Sequence, residues 1–309
     1  MNSQWHDKHI GVLLGGFSAE QEISRLTGTA VCQALRARGY AVTPIEIDAA
    51  GTWIADVRRT DVVFVALHGK FGEDGTVQAV LELLGIPYTG SGVLASALAM
   101  HKPMAKRVWQ TYNLPTPSWQ VIEQDAPWQL TLSYPVVVKP AAEGSSVGVS
   151  IVRSPAALAE ALTVAWRYDP QALVETYIPG QEVTVGIVND RALGAMEVIA
   201  KGEFHSYDVK YTAGREEFIL PAPLPAPVSE RVLAVALAAH RALGCSSYSR
   251  VDTRVTSAGD VFLLELNSLP GLTGLSYLPR IAAYAGMEYG DLVATILQGA
   301  TLHIQRSAA

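Results

Sequence analysis

The sequence predicts an α/β protein, and two observations support that class. The first is size and composition: 309 residues, of which 49% are hydrophobic and 17% charged, are typical of a globular chain with two or three compact units. The second is the alternation of short apolar segments with segments of helical period near the N-terminus. Apolar strands alternating with helices are typical of a parallel, doubly wound sheet.

The N-terminal unit contains four predicted strands, "HIGVLLGG", "AVTPIEID", "DVVFVAL" and the short "IPYTG". A helix follows the first strand, with Ser18 as its cap and Gln21 at capping-box spacing, and it ends at Gly39. A second helix, "TVQAVLELLG", ends at Gly85. This alternation predicts a parallel sheet that extends to about residue 96.

The rest of the chain predicts a different mixture of elements. A helix interrupted by Pro103 precedes a boundary at "PTPSW". Next come the strands "YPVVVKP" and "VSIVR", a helix capped by Ser154, the strand "ALVETYI", and the hairpin strands "EVTVGIV" and "LGAMEVI". Residues 200–228 lack periodicity, which is typical of a functional lid. The helix "SERVLAVALAAHRALG" and the strands "YSRVDTRV" and "VFLLELN" complete the pattern.

Charge and composition exclude several classes of function. The net charge is -6 and no segment concentrates Lys and Arg, so we expect no nucleic-acid partner. No run of about 18 apolar residues is present and the N-terminus lacks an apolar signal region, so we expect a cytoplasmic protein without a membrane span. Cys32 and Cys245 lack metal-ligand spacing and are expected to be ordinary thiols.

The loop "KPAAEGSSVGVS" (residues 139–150) has three possible interpretations. A P-loop is excluded, because GxxxxGK[ST] is absent and the loop leads into a strand. A tight connection between two strands would explain the glycines by turn geometry alone. Alternatively, backbone N–H groups could cradle nucleotide phosphates, with Gly144 and Gly148 permitting close approach and Lys139 supplying a cation.

The segment "GVLLGGFSAEQEIS" follows a strand and opens a helix, as dinucleotide-binding turns do. It contains GG instead of GxGxxG, so it gives only weak support to an NAD-linked oxidoreductase.

A candidate metal site lies near the C-terminus. Glu265 and Asn267 are two residues apart on a predicted strand, so their side chains point to the same face. Asp252 lies on the predicted neighbouring strand. Two carboxylates and an amide oxygen suit Mg²⁺ that arrives with a nucleotide. A Glu-x-Asn segment alone is usually structural, and the upstream Gly/Ser loop together with "PGLTGLS" makes the metal interpretation more specific.

Seven motifs follow one another along nearly the whole chain: "GGFSAEQEIS", "LHGKFGEDG", "PYTGSG", "VVKPAAEGSSVG", "DVKYTAG", "SRVDTRV" and "LLELNSLPGLTGLS". In order and spacing they resemble those of bacterial D-alanine–D-alanine ligases of the ATP-grasp superfamily. The resemblance implies an ATP-grasp fold: an N-terminal parallel α/β domain (1–96), a small central α+β subdomain with the phosphate loop (97–183) and a C-terminal α+β subdomain with the metal site and lid (184–309). The nucleotide would bind between the last two.

The resemblance also implies the reaction. Two D-alanines would be joined through an acyl phosphate, with release of ADP and phosphate, for peptidoglycan precursor synthesis. ATP would be the co-substrate, Mg²⁺ or Mn²⁺ the metal with two ions in each site, and the protein a homodimer. Two departures from the family pattern are His101, where an acidic residue is expected before Lys102, and Ser268, where Thr is usual.

The resemblance assigns roles at the nucleotide end. Glu175, Tyr177 and Ile178 would bind adenine, and Glu182 the ribose. Lys102 and Lys139 would add positive charge at the phosphates, the loop at Ser145 and Ser146 would close over them, and Glu143 is a further expected cofactor-binding residue. The metal ligands would be Asp252, Glu265 and Asn267. Without the resemblance, the lysines would be interpreted as surface residues and Glu182 as an exposed strand residue.

Roles at the amino-acid end follow in the same way. Glu20 would orient the ammonium of the first D-alanine, with His68 nearby, and Ser276 would bind the carboxylate of the second. Arg250 and the Gly271 N–H would stabilise the tetrahedral oxyanion. The remaining expected residues, Lys210 and Tyr211, lie in the predicted lid, where Tyr211 would join Ser145 and Glu20 in a hydrogen-bonded link.

Two alternatives remain open on the sequence. A D-alanine–D-lactate or D-alanine–D-serine ligase would share the fold and the mechanism, and Tyr211 alone favours an amine as the second nucleophile. A nucleotide-binding regulatory protein without turnover is the alternative from another class, and the complete metal set together with Arg250 argues against it.

Overall fold

The computed structural model describes residues 4–200 and 216–304, apart from the side chains of residues 200 and 216. The strands in these ranges are β1 (His9–Gly15), β2 (Ala41–Ile47), β3 (Val62–Val65), β4 (Trp119–Glu123), β5 (Val136–Pro140), β6 (Ser150–Val152), β7 (Gln171–Thr176), β8 (Gln181–Val188), β9 (Arg191–Ala200), β10 (Glu216–Ile219), β11 (Tyr248–Val255) and β12 (Val261–Asn267). The helices are α1 (Gln21–Ala37), α2 (Trp53–Val57), α3 (Thr76–Leu84), α4 (Val93–Met100), α5 (Lys102–Thr111), α6 (Leu158–Trp166), α7 (Ala226–Ala242), α8 (Tyr277–Tyr284) and α9 (Tyr289–Gln298). None of these helices is long and apolar enough to cross a membrane.

The strands form three sheets, and they confirm the predicted α/β class. The N-terminal sheet is parallel, in the order β2-β1-β3. The central sheet has the order β4-β7-β5-β6 and the C-terminal sheet the order β10-β9-β8-β11-β12, both with antiparallel pairing. The predicted fourth N-terminal strand is reduced to Tyr88, which forms isolated bridges with Val63 and Thr301.

The start of α1 differs from the prediction. The helix begins at Gln21, and Ser18 does not cap it. Instead, the Ser18 hydroxyl accepts the Glu20 N–H at 3.1 Å and donates to the His68 carbonyl at 2.7 Å. The Gln21 side chain donates to the Gly16 carbonyl at 2.6 Å. The capping-box prediction was wrong because the helix starts two residues later than expected: the Ser18 hydroxyl accepts the N–H of Glu20, which precedes the first helical residue, and donates to the loop after β3.

The break between α4 and α5 lies at His101, two residues before Pro103. His101 is extended (φ -90°, ψ 91°), and its Nδ1 accepts the Met104 N–H at 3.3 Å. An N–H in the first helical turn has no partner within the helix, so Pro103, the second residue of α5, fits there without interrupting it. The residue that departs from the family pattern therefore caps the helix that carries Lys102.

Other predicted boundaries are close to the observed ones. Ser154 makes no capping hydrogen bond, and a short 3₁₀ turn (Pro155–Ala157) precedes α6. The predicted hairpins β5–β6, β8–β9 and β11–β12 are confirmed. Asn189 and Asp190 both have positive φ (48° and 58°), as a tight hairpin turn requires. Strand β10 was not predicted and lies within the segment expected to be irregular, while Lys210 and Tyr211 lie outside the described residues.

The apolar cores group the elements differently from the sheets. One cluster joins the N-terminal sheet to C-terminal residues such as Tyr248 and Leu278. A second lies under the C-terminal sheet and includes Ala105 and Trp109 of α5. A third belongs to the central sheet and α6. The limits 1–96, 97–183 and 184–309 stay a prediction, and the packing associates α5 with the C-terminal sheet.

Candidate active site

The predicted site residues that the structure describes, which leaves out Lys210 and Tyr211, line two adjoining cavities. The first lies between the central and C-terminal sheets and is lined by Lys102, Lys139, Glu143, Ser146, Glu175, Tyr177, Ile178, Glu182, Asp252 and Glu265. The second lies towards the N-terminal unit and is lined by Glu20, His68, Ser145, Arg250, Asn267, Gly271 and Ser276. The two cavities share Lys102, Glu143, Gly144 and Glu265. Groups bound in the two cavities would therefore meet at these shared residues.

The Gly/Ser loop contacts the N-terminal unit directly. Ser145 and Ser146 have left-handed backbone conformations (φ 48° and 56°), which turn the loop tightly. The Ser145 hydroxyl donates a hydrogen bond to the Glu20 carboxylate. A Cβ at Gly144 would lie 2.9 Å from Glu20 Oε2. Glycine is needed at position 144 because the carboxylate approaches the backbone there.

A second link between the same two units involves Lys70, which the sequence did not suggest. Its Nζ forms an ion pair with the Glu143 carboxylate and donates to the Tyr168 carbonyl at 3.2 Å. The Glu143 carbonyl accepts a hydrogen bond from Lys102 Nζ. Glu143 is thus held by its side chain from the N-terminal unit and by its backbone from α5.

Helix α5 supplies two lysines, each of which meets a different carboxylate. Lys102 and Lys106 are four residues apart and so lie on one helix face. Lys102 Nζ lies 3.2 Å from the Glu265 carboxylate, and Lys106 Nζ lies 2.7 Å from that of Glu175. Lys139 Nζ lies 2.5 Å from the other Glu175 oxygen. The sequence suggested Lys102 and missed Lys106, although the four-residue spacing was visible.

These buried charges shift one another's ionisation. Burial opposes ionisation of Glu175, but Lys106 and Lys139 outweigh it and hold the pKa of that carboxyl below its ordinary value. Burial lowers the pKa of Lys106 to about 8, against the attraction of Glu175. For Lys139, burial is outweighed by Glu175 and Glu265, and the pKa is raised. The carboxylate is therefore kept ionised.

The three candidate metal ligands lie at one corner of the C-terminal sheet. Asp252 and Glu265 are directly opposite each other in the β11–β12 pair, and Asn267 is two residues further along. The Asn267 amide donates to Asp252 Oδ2 at 3.2 Å, and Thr184 donates to Oδ1 at 2.7 Å. Within 4–200 and 216–304, no three His, Cys, Asp or Glu side chains form a metal-binding group. The donor set therefore depends on the amide oxygen, and with nucleotide phosphates it fits a hard divalent cation.

Arg250 lies beside this corner and lines the second cavity. Its Nε and Nη2 donate to the two Asp252 oxygens at 2.9 and 2.8 Å, and its guanidinium lies 5.2 Å from the centre of the Tyr277 ring. Burial opposes the charge, but Asp252 outweighs it and raises the pKa of Arg250. A permanently charged, bidentately held guanidinium can stabilise negative charge that develops in the cavity.

His68 is buried at the side of the second cavity. Its Nδ1 donates to the Leu269 carbonyl at 3.0 Å and lies 3.6 Å from the Glu73 carboxylate, while Nε2 is 2.9 Å from the Thr27 hydroxyl. Burial lowers the pKa of His68, but Glu73 and Glu20 outweigh burial and raise it overall. Burial and Glu20 raise the pKa of Glu73. Glu73 lies in the motif "LHGKFGEDG", but the sequence suggested no role for it. The structure places its carboxylate beside His68.

Ser276 and Gly271 meet at the far wall of the second cavity. Ser276 precedes α8, and its Oγ accepts the Thr273 N–H at 3.1 Å. A Cβ at Gly271 would lie 2.7 Å from Ser276 Oγ. The glycine therefore leaves the serine hydroxyl accessible from the cavity.

Comparisons with known proteins agree with this geometry. A family model described as "D-ala D-ala ligase C-terminus" matches residues 108–298, and one described as "D-ala D-ala ligase N-terminus" matches residues 9–60 and 54–91. A D-alanine–D-alanine ligase of Geobacter sulfurreducens is 51% identical over 304 residues, covering 97% of this chain and 96% of that protein.

Two solved structures are similar over 94% of this chain. The D-alanine–D-alanine ligase of Bacillus anthracis complexed with ATP has a TM-score of 0.85 and 34% identity, with 97% of that chain covered. The VanG D-Ala:D-Ser ligase of Enterococcus faecalis has a TM-score of 0.82 and 28% identity, with 98% covered. These likenesses confirm the predicted ATP-grasp fold.

Proposed function

The chain belongs to the D-alanine–D-alanine ligase family, and from this premise we propose how its residues join two D-alanines using ATP. It is an ATP-dependent ligase. The observation that carries the assignment of roles is the meeting of the two cavities at Lys102, Glu143 and Glu265. A nucleotide in the first cavity and an amino acid in the second would bring a phosphate and a carboxylate together there.

The nucleotide would lie along the first cavity. Glu175 would accept a hydrogen bond from the exocyclic amine of adenine, next to Tyr177 and Ile178, and Glu182 would bind the ribose. The phosphates would lie between the loop at Ser146 and the ammonium groups of Lys102 and Lys139. The main support is that these residues line one cleft, with Glu175 buried and ionised at its base.

Asp252, Glu265 and Asn267 would hold Mg²⁺ or Mn²⁺ against those phosphates, with two ions in each site. When bound, the metal neutralises phosphate charge and aligns the terminal phosphoryl group. Both Asp252 oxygens already accept hydrogen bonds, from Thr184, Arg250 and Asn267, so at least one of these donors would move aside when the metal binds.

The first D-alanine would lie beside Glu20, whose carboxylate would hold its ammonium, with His68 and Glu73 forming the wall behind. The carboxylate oxygen of this substrate would attack the γ-phosphorus, and the bond to the bridging oxygen of ADP would break. The product is an acyl phosphate, whose carbonyl carbon is a far better electrophile than that of a carboxylate. Exclusion of water protects it, and the predicted lid with Lys210 and Tyr211 would close over the site.

The second D-alanine would place its carboxylate on Ser276. Its amine nitrogen, once deprotonated, would attack the carbonyl carbon of the acyl phosphate. Arg250 and the Gly271 N–H would stabilise the oxyanion, and phosphate would leave as the new C–N bond is completed. The loss of one such donor typically costs about 3–4 kcal/mol in the transition state.

The decisive experiment is product identification. The purified protein would be incubated with ATP, Mg²⁺ and D-alanine, alone and with equimolar D-lactate or D-serine, and the products identified by mass spectrometry. D-alanyl-D-alanine as the main product in every mixture supports the proposal. A depsipeptide or D-alanyl-D-serine as the main product would keep the mechanism but change the second substrate, and the likeness to the VanG ligase makes that comparison worthwhile.

A control variant excludes a contaminating ligase. Glu265→Gln removes a proposed metal ligand and the partner of Lys102, so D-alanine-dependent phosphate release should be lost. If wild-type protein binds ATP but releases no phosphate with D-alanine, a regulatory nucleotide-binding protein would be the better description. We further infer a cytoplasmic homodimer that serves peptidoglycan precursor synthesis, as expected from the family, and sedimentation velocity would test the dimer.

A further inference from the structure

A buried group of three charges lies behind the nucleotide cleft. One carboxylate, Glu175, is held by two lysines, with Lys106 on one oxygen and Lys139 on the other. Counted alone, the two lysines and Glu175 have a net charge of +1, which Glu265 and Glu182 offset in part through their attraction for Lys139. Burying a charge costs free energy unless an anion compensates for it, so the group can accept a further anion.

The two lysines differ in their access to the cleft. Lys139 lines the cleft, on the strand next to that of Glu175. Lys106 has a side-chain exposure of 0% and does not line the cleft. Lys106 Nζ is also fixed by the Thr116 hydroxyl at 2.6 Å and lies 3.5 Å from the Leu263 carbonyl. Lys139 can therefore turn towards a bound ligand, whereas Lys106 cannot.

We propose that Lys106 is a positioning residue, the fixed counter-ion that keeps Glu175 ionised and aimed at the nucleotide base, while Lys139 moves from Glu175 to the phosphates when ATP binds. The inference rests on the proposed placement of adenine at Glu175. The exchange balances the charges: Lys106 and Glu175 remain as a neutral pair, and Lys139 meets the phosphates. It also frees Glu175 Oε1 to accept the adenine amine.

Removing Lys106 should weaken nucleotide binding in two ways. Among residues 4–200 and 216–304, Lys139 would remain as the only close cation of Glu175, so Lys139 would be held away from the phosphates. The carboxylate would also lose the contact that fixes its orientation. Because hydrogen bonds to charged groups are among the stronger ones, we expect Lys106→Met to weaken ADP binding about tenfold to a hundredfold.

The experiment measures Mg²⁺-ADP and Mg²⁺-GDP binding by calorimetry, so it does not depend on turnover. Guanine has a carbonyl oxygen where adenine has its amine, and an ionised acceptor discriminates against it. We expect the preference for ADP over GDP to fall in Lys106→Met. In steady state, KM for ATP should rise while KM for D-alanine stays within about twofold of the wild-type value.

The coupling to Glu175 is tested by a double-mutant cycle. Glu175→Gln should weaken ADP binding by itself, and adding Lys106→Met to it should cause no further loss beyond about twofold, because Lys106 acts through Glu175. The double variant has no unpaired charge from this pair, so it also serves if Lys106→Met alone does not fold. An undiminished loss from Lys106→Met in the Glu175→Gln background would overturn the proposal.

Val232→Ala is the control for a general loosening of the core. Val232 is fully buried in the apolar cluster that contains Trp109 of α5, and it does not line the nucleotide cleft. It should lower the Tm and leave ADP binding unchanged. If Val232→Ala weakens ADP as much as Lys106→Met does, or if folded Lys106→Met binds ADP normally, Lys106 has no positioning role. If the variants show this coupling between Lys106 and Glu175 in ADP binding but the wild-type protein forms no dipeptide, the ligase function is refuted and this inference stands.

Discussion

The hydrogen bond between Ser145 and Glu20 is the most direct test of how the phosphate loop and the substrate cavity cooperate. Ser145→Ala removes the hydroxyl that donates to the Glu20 carboxylate and leaves the loop backbone intact. The ion pair between Lys70 and Glu143 still connects the same two units. The variant should therefore misplace the loop without detaching it.

The size of the effect follows from the burial of the two partners. A hydrogen bond to a charged group contributes about 1.5–3 kcal/mol, and because both side chains are only half-buried we expect a value at or slightly below the lower end of that range, about 1–2 kcal/mol. A tenfold change corresponds to about 1.4 kcal/mol, so kcat/KM for D-alanine should fall about fivefold to thirtyfold. The Tm should change little, because the central sheet has its own apolar cluster.

The assay is steady-state phosphate release with D-alanine varied at saturating ATP, together with thermal unfolding. The matched control is Ser154→Ala, the same chemical change at an exposed serine of the central unit that makes no capping bond. It should leave both kcat/KM and the Tm unchanged. If kcat/KM of Ser145→Ala equals that of the control, or if its Tm drops by many degrees, the Ser145–Glu20 hydrogen bond does not act by positioning the phosphate loop.

Three further predictions follow from single contacts. His101→Asp keeps an acceptor for the Met104 N–H, and aspartate is a strong helix cap. The variant should therefore stabilise the protein by about 0.5–1 kcal/mol, measured as a small rise in Tm, and a lower Tm would contradict the capping role. In Gly271→Ala the new Cβ would lie 2.7 Å from Ser276 Oγ, so KM for the second D-alanine should rise about tenfold or more with ATP affinity unchanged, and an equal loss for ATP would show a wider distortion. Burial lowers the pKa of His240 to about 4, below its unfolded value of about 6.5. Between these two pH values the unfolded chain binds more protons than the folded one, so the free energy of unfolding falls by about 3 kcal/mol as the pH drops through this window. His240→Asn should make the Tm less dependent on pH between pH 7 and pH 5, and an unchanged dependence would exclude this histidine as the cause.

Much of the architecture follows from local periodicity. Strand alternation alone placed Glu265 and Asn267 on one face, and the observed register sets Asp252 directly opposite Glu265. The hairpin turn at Asn189 and Asp190 was readable because few residue types adopt positive φ readily. These features depend on neighbours in sequence, which the sequence displays directly.

The features that escaped prediction depend on partners distant in the chain. Ser18 has the spacing of a helix cap, but its hydroxyl donates to the His68 carbonyl, 50 residues away, and accepts the N–H of Glu20 before the helix begins. Lys106 resembles any helical lysine until Glu175 of another element is seen beside it. The edge strand at 216–219 acquires its conformation from pairing with β9, and its short sequence carries no strand signal of its own.

The distribution of the apolar clusters has a mechanical consequence. The N-terminal sheet shares its core with residues of the C-terminal unit such as Tyr248 and Leu278, so separating these units would expose buried hydrocarbon to water. Within the described ranges, that shared core includes no residue of the central sheet. The central sheet meets the N-terminal unit through Ser145 and Lys70, whose contacts water can replace at small cost.

The cleft should therefore open by movement of the central sheet alone. The N- and C-terminal units form the fixed body, and the central sheet turns about its buried contact with α5 at Glu175, which carries the Gly/Ser loop out of reach of Glu20. Nucleotide could then enter and ADP leave while the second cavity, most of whose lining belongs to the fixed body, keeps its shape. A disulfide between positions 70 and 143 would hold the cleft closed and trap the bound nucleotide.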